Sequence, residues 1–275
     1  TYPVISWQCP RTNDLVEEVR AMMPAAEIFR RTGYQVISFN TLLKLAWLRR
    51  HAPEIWDRTH RFVMMPGLLT HRLTGELSVD PTMAGTTMAF DASRRQWDGE
   101  LLGWASVGPE IWPALVEPGR VVGSVRAAAA EKAGLPPGLP VTAAGHDTQF
   151  ALYGSGARAD EAVLSSGTWE ILMVRTAAFE PGPDVFDAGV IVEQDAVAGF
   201  VDPQFLMMGS GVLEWVRRQF WAGEPEAGIY DKMMAEAHSA GGGPLVFLPN
   251  FVSGTGPAAK FGTPGAVVTH RRRMP

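Results

Sequence analysis

Residues 141–175 read VTAAGHDTQFALYGSGARADEAVLSSGTWEILMVR, and they carry the strongest fold signal in the chain. The first apolar run, residues 141–144, predicts a buried strand. That strand ends at the polar tip Gly145-His146-Asp147, where side chains would reach a cleft. Residues 148–153 predict a helix with Thr148 near its cap, and the glycines that follow stop the helix.

Two further apolar runs flank a short group of small residues. Residues 162–164 lead into Ser165-Ser166-Gly167-Thr168, and residues 169–174 lead away from it. Two strands joined by small residues predict a β-hairpin. The exposed backbone N–H groups of such a turn can hold an anion.

A carboxylate that faces a phosphate-binding turn suits phosphoryl transfer to a hydroxyl group. Asp147 would accept the hydroxyl proton, and Ser166, Gly167 and Thr168 would hold the phosphates. The alternative is structural, with Asp147 capping a helix and Gly167 only making a turn. Spacing alone leaves both interpretations open.

The sequence GHDTQFAL at residues 145–152 and LSSGTWEILMVR at residues 164–175 together resemble the FGGY family of carbohydrate kinases. The resemblance implies an α/β fold of the actin-like, ribonuclease H-like ATPase type, in two domains with the active site in the cleft between them. It implies that Asp147 is the catalytic base and that the turn at Gly167 and Thr168, with Ser166, contacts the phosphates of ATP. His146 and Thr148, on either side of the base, are expected to bind the sugar.

Two aromatic residues are candidates for the wall of the sugar site. Trp7 lies in the run WQCPRT, which is similar to a run in related glycerol kinases whose tryptophan lines the substrate pocket. An indole face packs well on the C–H face of a sugar, although Trp7 could also be a core aromatic at a strand end. Phe39 opens FNTLLKLAWLRRH, which resembles the first signature of the family. The rest of that signature predicts a helix capped by Asn40 or Thr41.

The remaining segments alternate between helical and extended patterns, which is typical of α/β folds. Residues 80–86 are polar and small, and we expect an ordinary surface loop rather than a sugar site there. Strands are predicted at residues 1–6, 61–65, 120–125, 190–192, 199–201 and 245–248, and helices at 15–23, 66–75, 97–105, 126–133, 212–221 and 229–240. The abrupt first strand indicates a fragment of a longer chain.

Composition excludes several classes of function. The chain has 275 residues, 46% of them hydrophobic and 19% charged, with a net charge of −5, so a nucleic-acid partner is not expected. Cys9 is the only cysteine, which excludes an internal disulfide and fits a cytoplasmic location. The histidines lack metal-ligand spacing, so we expect no metal held by the chain itself. We also expect no membrane partner, because no membrane span or signal peptide is found in the sequence.

The resemblance divides the chain at the Gly-His-Asp motif. Residues 1–144 are expected to be the remainder of an N-terminal sugar-binding domain, and residues 145–275 the start of a C-terminal nucleotide-binding domain, incomplete at both ends. The implied activity is ATP-dependent phosphorylation of a ketose with ATP and Mg²⁺ as cofactors, with L-fuculose as the first choice. The alternatives are a family member acting on xylulose, ribulose or rhamnulose, or a non-catalytic actin-like nucleotide-binding module. The assembly state stays open, with a homodimer as one candidate.

Overall fold

The computed structural model describes residues 2–7, 9–159, 161–167 and 169–240, and the backbone of two further strands up to residue 269. Its helices are α1 (Leu15–Met22), α2 (Ala25–Thr32), α3 (Thr41–His51), α4 (Pro53–Trp56), α5 (Met65–Thr74), α6 (Pro81–Gly85), α7 (Gly99–Trp104), α8 (Ala127–Ala133), α9 (Asp147–Gly154), α10 (Pro183–Asp187), α11 (Ser210–Phe220) and α12 (Ile229–Ala240). Among these helices, none combines the length and the apolar character needed to cross a bilayer.

Strands and helices are interspersed along the chain, which fits the predicted α/β class. They are β1 (Ser78–Val79), β2 (Phe90–Asp91), β3 (Gln96–Trp97), β4 (Ala114–Leu115), β5 (Val121–Ser124), β6 (Pro140–Thr142), β7 (Val163–Ser166), β8 (Trp169–Met173), β9 (Ile191–Gln194), β10 (Val201–Met208), β11 (Leu245–Leu248) and β12 (Ala266–Thr269).

The largest sheet of the described region is antiparallel and runs β7-β8-β10-β9. The predicted hairpin forms its first two strands, with Ser166 opposite Glu170 across the turn. On the other side, β10 pairs with both β8 and β9, which places Asp202 directly opposite Glu193. The remaining strands pair two by two, and only β1 with β4 is parallel.

Helix α3 lies at the centre of the main core, as the signature predicted. Leu42, Leu45 and Ala46 are buried within it, and Trp47 packs on the same core. Asn40 precedes the helix, but its side-chain Oδ1 accepts from the backbone N–H of Ile37 rather than capping α3. Burial of these apolar side chains is what fixes the first half of the chain.

Strand β9 joins the first half of the chain to the sheet. The Val192 N–H donates to the Gly33 carbonyl at 2.8 Å, and the Gln194 amide donates to the Ala92 carbonyl at 3.1 Å. Gly33 has a φ of +74°, and a Cβ there would lie 2.2 Å from the Val192 carbonyl oxygen. Only glycine meets both conditions, so the close approach of β9 depends on it.

Several predictions based on local pattern are confirmed. The helix predicted at 66–75 runs over Met65–Thr74 and ends at the left-handed Gly75, and α8 ends in the same way at Gly134. Strand β5, helix α11 and helix α12 also form where they were predicted. Residues 249–265 and 270–275, which include a Gly/Pro-rich stretch and the basic C-terminal residues, lie outside the described residues.

Other predictions are wrong, for identifiable reasons. Residues 2–6 and 61–64 form no strand, because neither segment finds a pairing partner in the described region. The strand β6 is only half buried, because it pairs with β5 in a two-stranded ribbon instead of entering a sheet core. Helix α7 begins two residues later than predicted, because Asp98 caps it by accepting from the N–H groups of Glu100 and Leu101. Strand β10 is much longer than the predicted residues 199–201.

Residues 80–86 do not form the surface loop that the sequence suggested. They fold into α6, which is buried against β9 and β2, with Asp80 as its N-cap. The Asp80 side chain accepts from the N–H groups of Thr82 and Met83, and proline at the first helical position fits the start of a helix. The Asp-Pro-Thr sequence is therefore a helix start with Asp80 as its N-cap.

Candidate active site

The predicted catalytic carboxylate lies at the first residue of α9. The Asp147 side chain is 97% exposed, and its Oδ1 accepts from the adjacent Thr148 N–H at 2.9 Å. Thr148 itself is buried, so its predicted contact with a sugar would need the side chain to become accessible. Helix α9 is fixed from behind by Leu152, which packs with Ile171 and Met173 of β8. A freely accessible carboxylate on a rigid helix is a suitable geometry for accepting a proton from a substrate.

The backbone just before Asp147 is held by the α6 segment. The His146 N–H donates to Thr82 Oγ1 at 2.8 Å, and the same hydroxyl donates to Asp80 Oδ2 at 2.7 Å. Burial raises the pKa of Asp80, while the hydrogen bonds from Thr82 and Met83 lower it. A Cβ on Gly145 would lie 2.0 Å from Asp80 Oδ1, so the motif requires glycine at this position. Residues 80–82 therefore support the candidate base.

The His146 ring is surrounded by polar groups from distant parts of the chain. Its Nδ1 lies 2.5 Å from Gln149 Oε1 and 3.7 Å from Glu193 Oε2. The Gln149 amide nitrogen in turn approaches Gln204 Oε1 at 3.4 Å. Gln149, Glu193 and Gln204 are all buried, and none of them was a candidate at the level of sequence.

The two predicted sugar-wall residues lie together and are joined by a third aromatic. The Trp7 ring centroid is 6.1 Å from that of Phe39 and 5.7 Å from that of Trp169. Phe39 and Trp169 are themselves 6.4 Å apart, and Trp7 remains 40% exposed. We call Trp7, Phe39 and Trp169 the aromatic cluster. Trp169 was not predicted as a site residue, although its place after the Ser-Gly-Thr turn is a signal that could have found it.

The hairpin turn is closed by its own hydrogen bonds. The Gly167 N–H donates to the Trp169 carbonyl at 3.0 Å, and Ser166 Oγ donates to Glu170 Oε1 at 2.9 Å. The Gly167 carbonyl accepts from the N–H of Ser210, at the N-terminus of α11. The predicted free N–H at Gly167 is therefore already paired, and an incoming phosphate would have to replace these partners. Thr168 lies outside the described residues.

A cluster of buried carboxyl groups lies behind His146, on β9, β10 and the turn that joins them. Asp195 Oδ2 accepts from Arg175 Nε at 2.7 Å. Burial and then the neighbouring Asp195 raise the pKa of Asp202 to about 9. Burial, followed by the proximity of Glu193, raises the pKa of Tyr34 well above its usual range. Asp202 therefore keeps its proton at pH values where an exposed aspartate is ionised.

Among the described residues, the hairpin turn is open on one side of Gly167. A Cβ added to Gly167 would meet no atom within 4 Å, so a group could approach the backbone there. In the described part of the chain, no set of three or more histidine, cysteine, aspartate or glutamate side chains could hold a metal ion. Mg²⁺ commonly binds one or two carboxylates together with substrate phosphates, and Glu170 is the carboxyl group at this turn.

Comparison with known proteins points to a family of carbohydrate kinases. The family model for the N-terminal domain of the FGGY family of carbohydrate kinases matches residues 1–154. An L-fuculokinase of Escherichia coli (strain K12) is 44% identical over 223 residues, which cover 81% of this chain and 47% of that protein. An autoinducer-2 kinase of Escherichia coli O139:H28 is 33% identical over 201 residues, which cover 72% of this chain and 37% of that protein.

A solved structure shows the same fold. The xylulose kinase of Rhodospirillum rubrum superimposes with a TM-score of 0.79 and 26% identity, over 96% of this chain and 53% of that one. This likeness confirms the predicted actin-like, ribonuclease H-like α/β fold. The chain spans about half the length of the curated relatives it matches. From the match over residues 1–154, the chain belongs to the FGGY family of carbohydrate kinases.

Proposed function

We propose that this chain supplies the catalytic base and the sugar-binding wall of an ATP-dependent ketose kinase. The observation that carries the proposal is the exposed carboxylate of Asp147 on the rigid first turn of α9, directly after the fixed backbone of His146. Residues 1–144 would belong to the sugar-binding domain and residues 145–275 to the nucleotide-binding domain.

The proposed chemistry uses each of these groups in one role. Asp147 takes the proton of the sugar hydroxyl as that oxygen attacks phosphorus. The aromatic cluster packs against the C–H face of the sugar, with His146 and Thr148 as polar contacts. ATP, when bound, supplies the phosphoryl group, and Ser166, Gly167 and Thr168 hold its phosphates.

The charges around the hairpin turn support a phosphate-binding site that includes a cation. The N-terminus of α11 abuts Gly167, and the positive end of a helix dipole favours a negative group. Glu170 beside the turn would repel phosphate, and Mg²⁺ would offset that repulsion by binding both. Mg²⁺ would also neutralise charge that develops on the phosphoryl oxygens.

We propose L-fuculose as the sugar, converted to L-fuculose 1-phosphate in the cytoplasm. The support is the 44% identity to an L-fuculokinase, which exceeds the 33% identity to an autoinducer-2 kinase. A few hydroxyl contacts decide between related sugars, so another ketose is the competing candidate. A non-catalytic nucleotide-binding module is disfavoured because the chain carries both an exposed candidate base, Asp147, and a partly exposed aromatic cluster suited to a sugar.

The test is ADP release by the full-length protein with ATP and Mg²⁺, offered L-fuculose, D-ribulose, D-xylulose, L-rhamnulose and autoinducer-2. We expect the highest kcat/KM with L-fuculose, and loss of turnover in the matched variant Asp147→Asn. Preference for another of these substrates would retain the kinase and overturn L-fuculose. ATP binding without turnover on any of them would instead favour the nucleotide-binding module.

A further inference from the structure

The His146 ring has one nitrogen that is surrounded by oxygen atoms. Nδ1 lies 2.5 Å from Gln149 Oε1, 3.7 Å from Glu193 Oε2 and 3.8 Å from Asp147 Oδ1. All three atoms are hydrogen-bond acceptors, and none of them can donate to Nδ1 when the carboxyl groups are ionised. The nitrogen that faces acceptors is the one that carries the proton, and the other nitrogen is then the acceptor.

The orientation of the Gln149 amide follows from a second contact. Its Nε2 donates to Gln204 Oε1 at 3.4 Å, which leaves Oε1 directed to the imidazole. Gln149 and Gln204 are both buried, so water does not compete for these groups. The amide of Gln149 therefore presents an oxygen, not a nitrogen, to His146.

Glu193 brings a buried carboxyl group of β9 close to His146. The residue is only 1% exposed, and its Oε2 has no hydrogen-bond partner within the described residues. A buried carboxyl oxygen without a partner is costly, and the N–H of His146 is a donor 3.7 Å from it. A small movement of the ring would complete that hydrogen bond.

The second ring nitrogen is available to a ligand. His146 Nε2 has no hydrogen-bond partner among residues 2–7, 9–159, 161–167 and 169–240, and the side chain is 26% exposed. The other polar or charged groups around the residue are Asp147 on its own helix, Thr82 with Asp80 on the backbone side, and Tyr34 beyond Glu193.

We propose that Gln149 and Glu193 are positioning residues that hold His146 with its proton on Nδ1 and leave Nε2 as an acceptor for a hydroxyl of the sugar. Hydrogen-bond partners act in this way on histidines that bind metals, where they fix the tautomer and the orientation of the ring. The identity of the ligand rests on the proposed kinase function, whereas the tautomer is a property of the protein alone.

The test uses the full-length protein labelled with ¹⁵N-histidine, at about pH 8, where histidines are ordinarily neutral. The ¹⁵N shifts of the two ring nitrogens report which one is protonated, and His146→Asn assigns the signal. We expect the Nδ1–H form in the wild type, and a mixture or the Nε2–H form in Gln149→Met and Glu193→Gln. The control is Asp57→Asn, an exposed carboxylate just after α4, which should leave the His146 signal unchanged.

Kinetics on the same variants test the sugar contact. Mutation of the hydrogen-bond partner of a metal-binding histidine typically lowers metal affinity or activity ~10–100-fold. We expect kcat/KM for the sugar to fall by about that factor in Gln149→Met and Glu193→Gln, with KM for ATP unchanged. The control Asp57→Asn should keep the wild-type values.

An Nε2–H signal in the wild type would overturn the proposal even if no variant folds. Unchanged spectra and unchanged kinetics in both positioning variants would also overturn it. A wild-type protein with the Nδ1–H signal but no turnover on any ketose would support the positioning of the ring and refute the kinase function, so the two failures are distinguishable.

Discussion

Asp202→Asn should make the protein more stable at neutral pH, although it alters a group at the centre of the fold. Asp202 is fully buried on β10, opposite Glu193. Burial, and then the neighbouring Asp195, raise its pKa to about 9. The native state therefore keeps a proton on this carboxyl group that the unfolded chain releases above about pH 4.

The proton count gives the sign of the effect. Between about pH 4 and pH 9 the native state binds more protons at Asp202 than the unfolded state, so the free energy of unfolding falls as the pH rises. For one proton, each pH unit in this range lowers the free energy of unfolding by about 1.4 kcal/mol. From about pH 5 to pH 7 the wild type should lose up to ~3 kcal/mol relative to Asp202→Asn, because an amide does not ionise. Arg175 lowers the pKa of Asp202 and so reduces this difference.

Urea unfolding of the full-length protein measures this difference at intervals between about pH 5 and pH 8. We expect Asp202→Asn to gain stability over the wild type steadily across that range. The control is Asp57→Asn, an exposed carboxylate, for which the difference should be small at every pH. A difference between wild type and Asp202→Asn that is constant from pH 5 to pH 8 would show that Asp202 is ionised in the native state and would refute the reasoning.

Four substitutions test the candidate site itself. Asp147→Asn keeps the size of the side chain but cannot accept a proton, so kcat for ADP release should fall roughly 10²–10⁴-fold with sugar binding retained; near-normal turnover would contradict the assignment. Gly167→Val should raise KM for ATP by about 10-fold (~1.4 kcal/mol) and leave the thermal midpoint unchanged, because the added side chain meets only open space; equal damage to sugar and ATP binding would favour a structural turn. Trp7→Ala should raise KM for the sugar about 3–10-fold, the equivalent of one aromatic contact, without affecting ATP; unfolding would identify Trp7 as core. Thr82→Val removes the partner of the His146 N–H and should cost about 1–3 kcal/mol in urea unfolding, whereas Thr82→Ser should be close to wild type.

Elements with a strong local signal could be predicted from the sequence. The hairpin from β7 to β8 follows from two apolar runs around Ser-Ser-Gly-Thr, and α3 follows from its apolar spacing. Helix α5 could be bounded because Pro66 lies in its first turn and Gly75 ends it. The exposed Asp147 is at the start of its helix because the motif sequence itself specifies that helix start.

The surroundings of the base could not be predicted, because they come from contacts between distant segments. Thr82 reaches His146 across 64 positions, and Gln149 reaches Gln204 across 55. No local pattern encodes either contact, and the polar character of residues 80–86 suggested solvent exposure. The strand expected at 61–65 failed for a related reason, since strand formation depends on a partner that the segment itself does not specify.

Glu193 and Asp202 face each other across two strands, yet the structure gives them different physical roles. Asp202 lies beside Asp195, and its proton is retained because burial disfavours the charge, so replacement by an amide should improve stability. Glu193 lies on the side of His146, where its Oε2 is 3.7 Å from Nδ1 and has no hydrogen-bond partner among the described residues. Replacing that carboxyl group should change which nitrogen of the His146 ring carries the proton, and should lower the turnover of the sugar. These effects should be larger than the effect on stability. The two residues are paired across β9 and β10, and both are buried. An effect of burying a carboxyl group should therefore appear in both Glu193→Gln and Asp202→Asn. An effect of positioning His146 should appear only in Glu193→Gln.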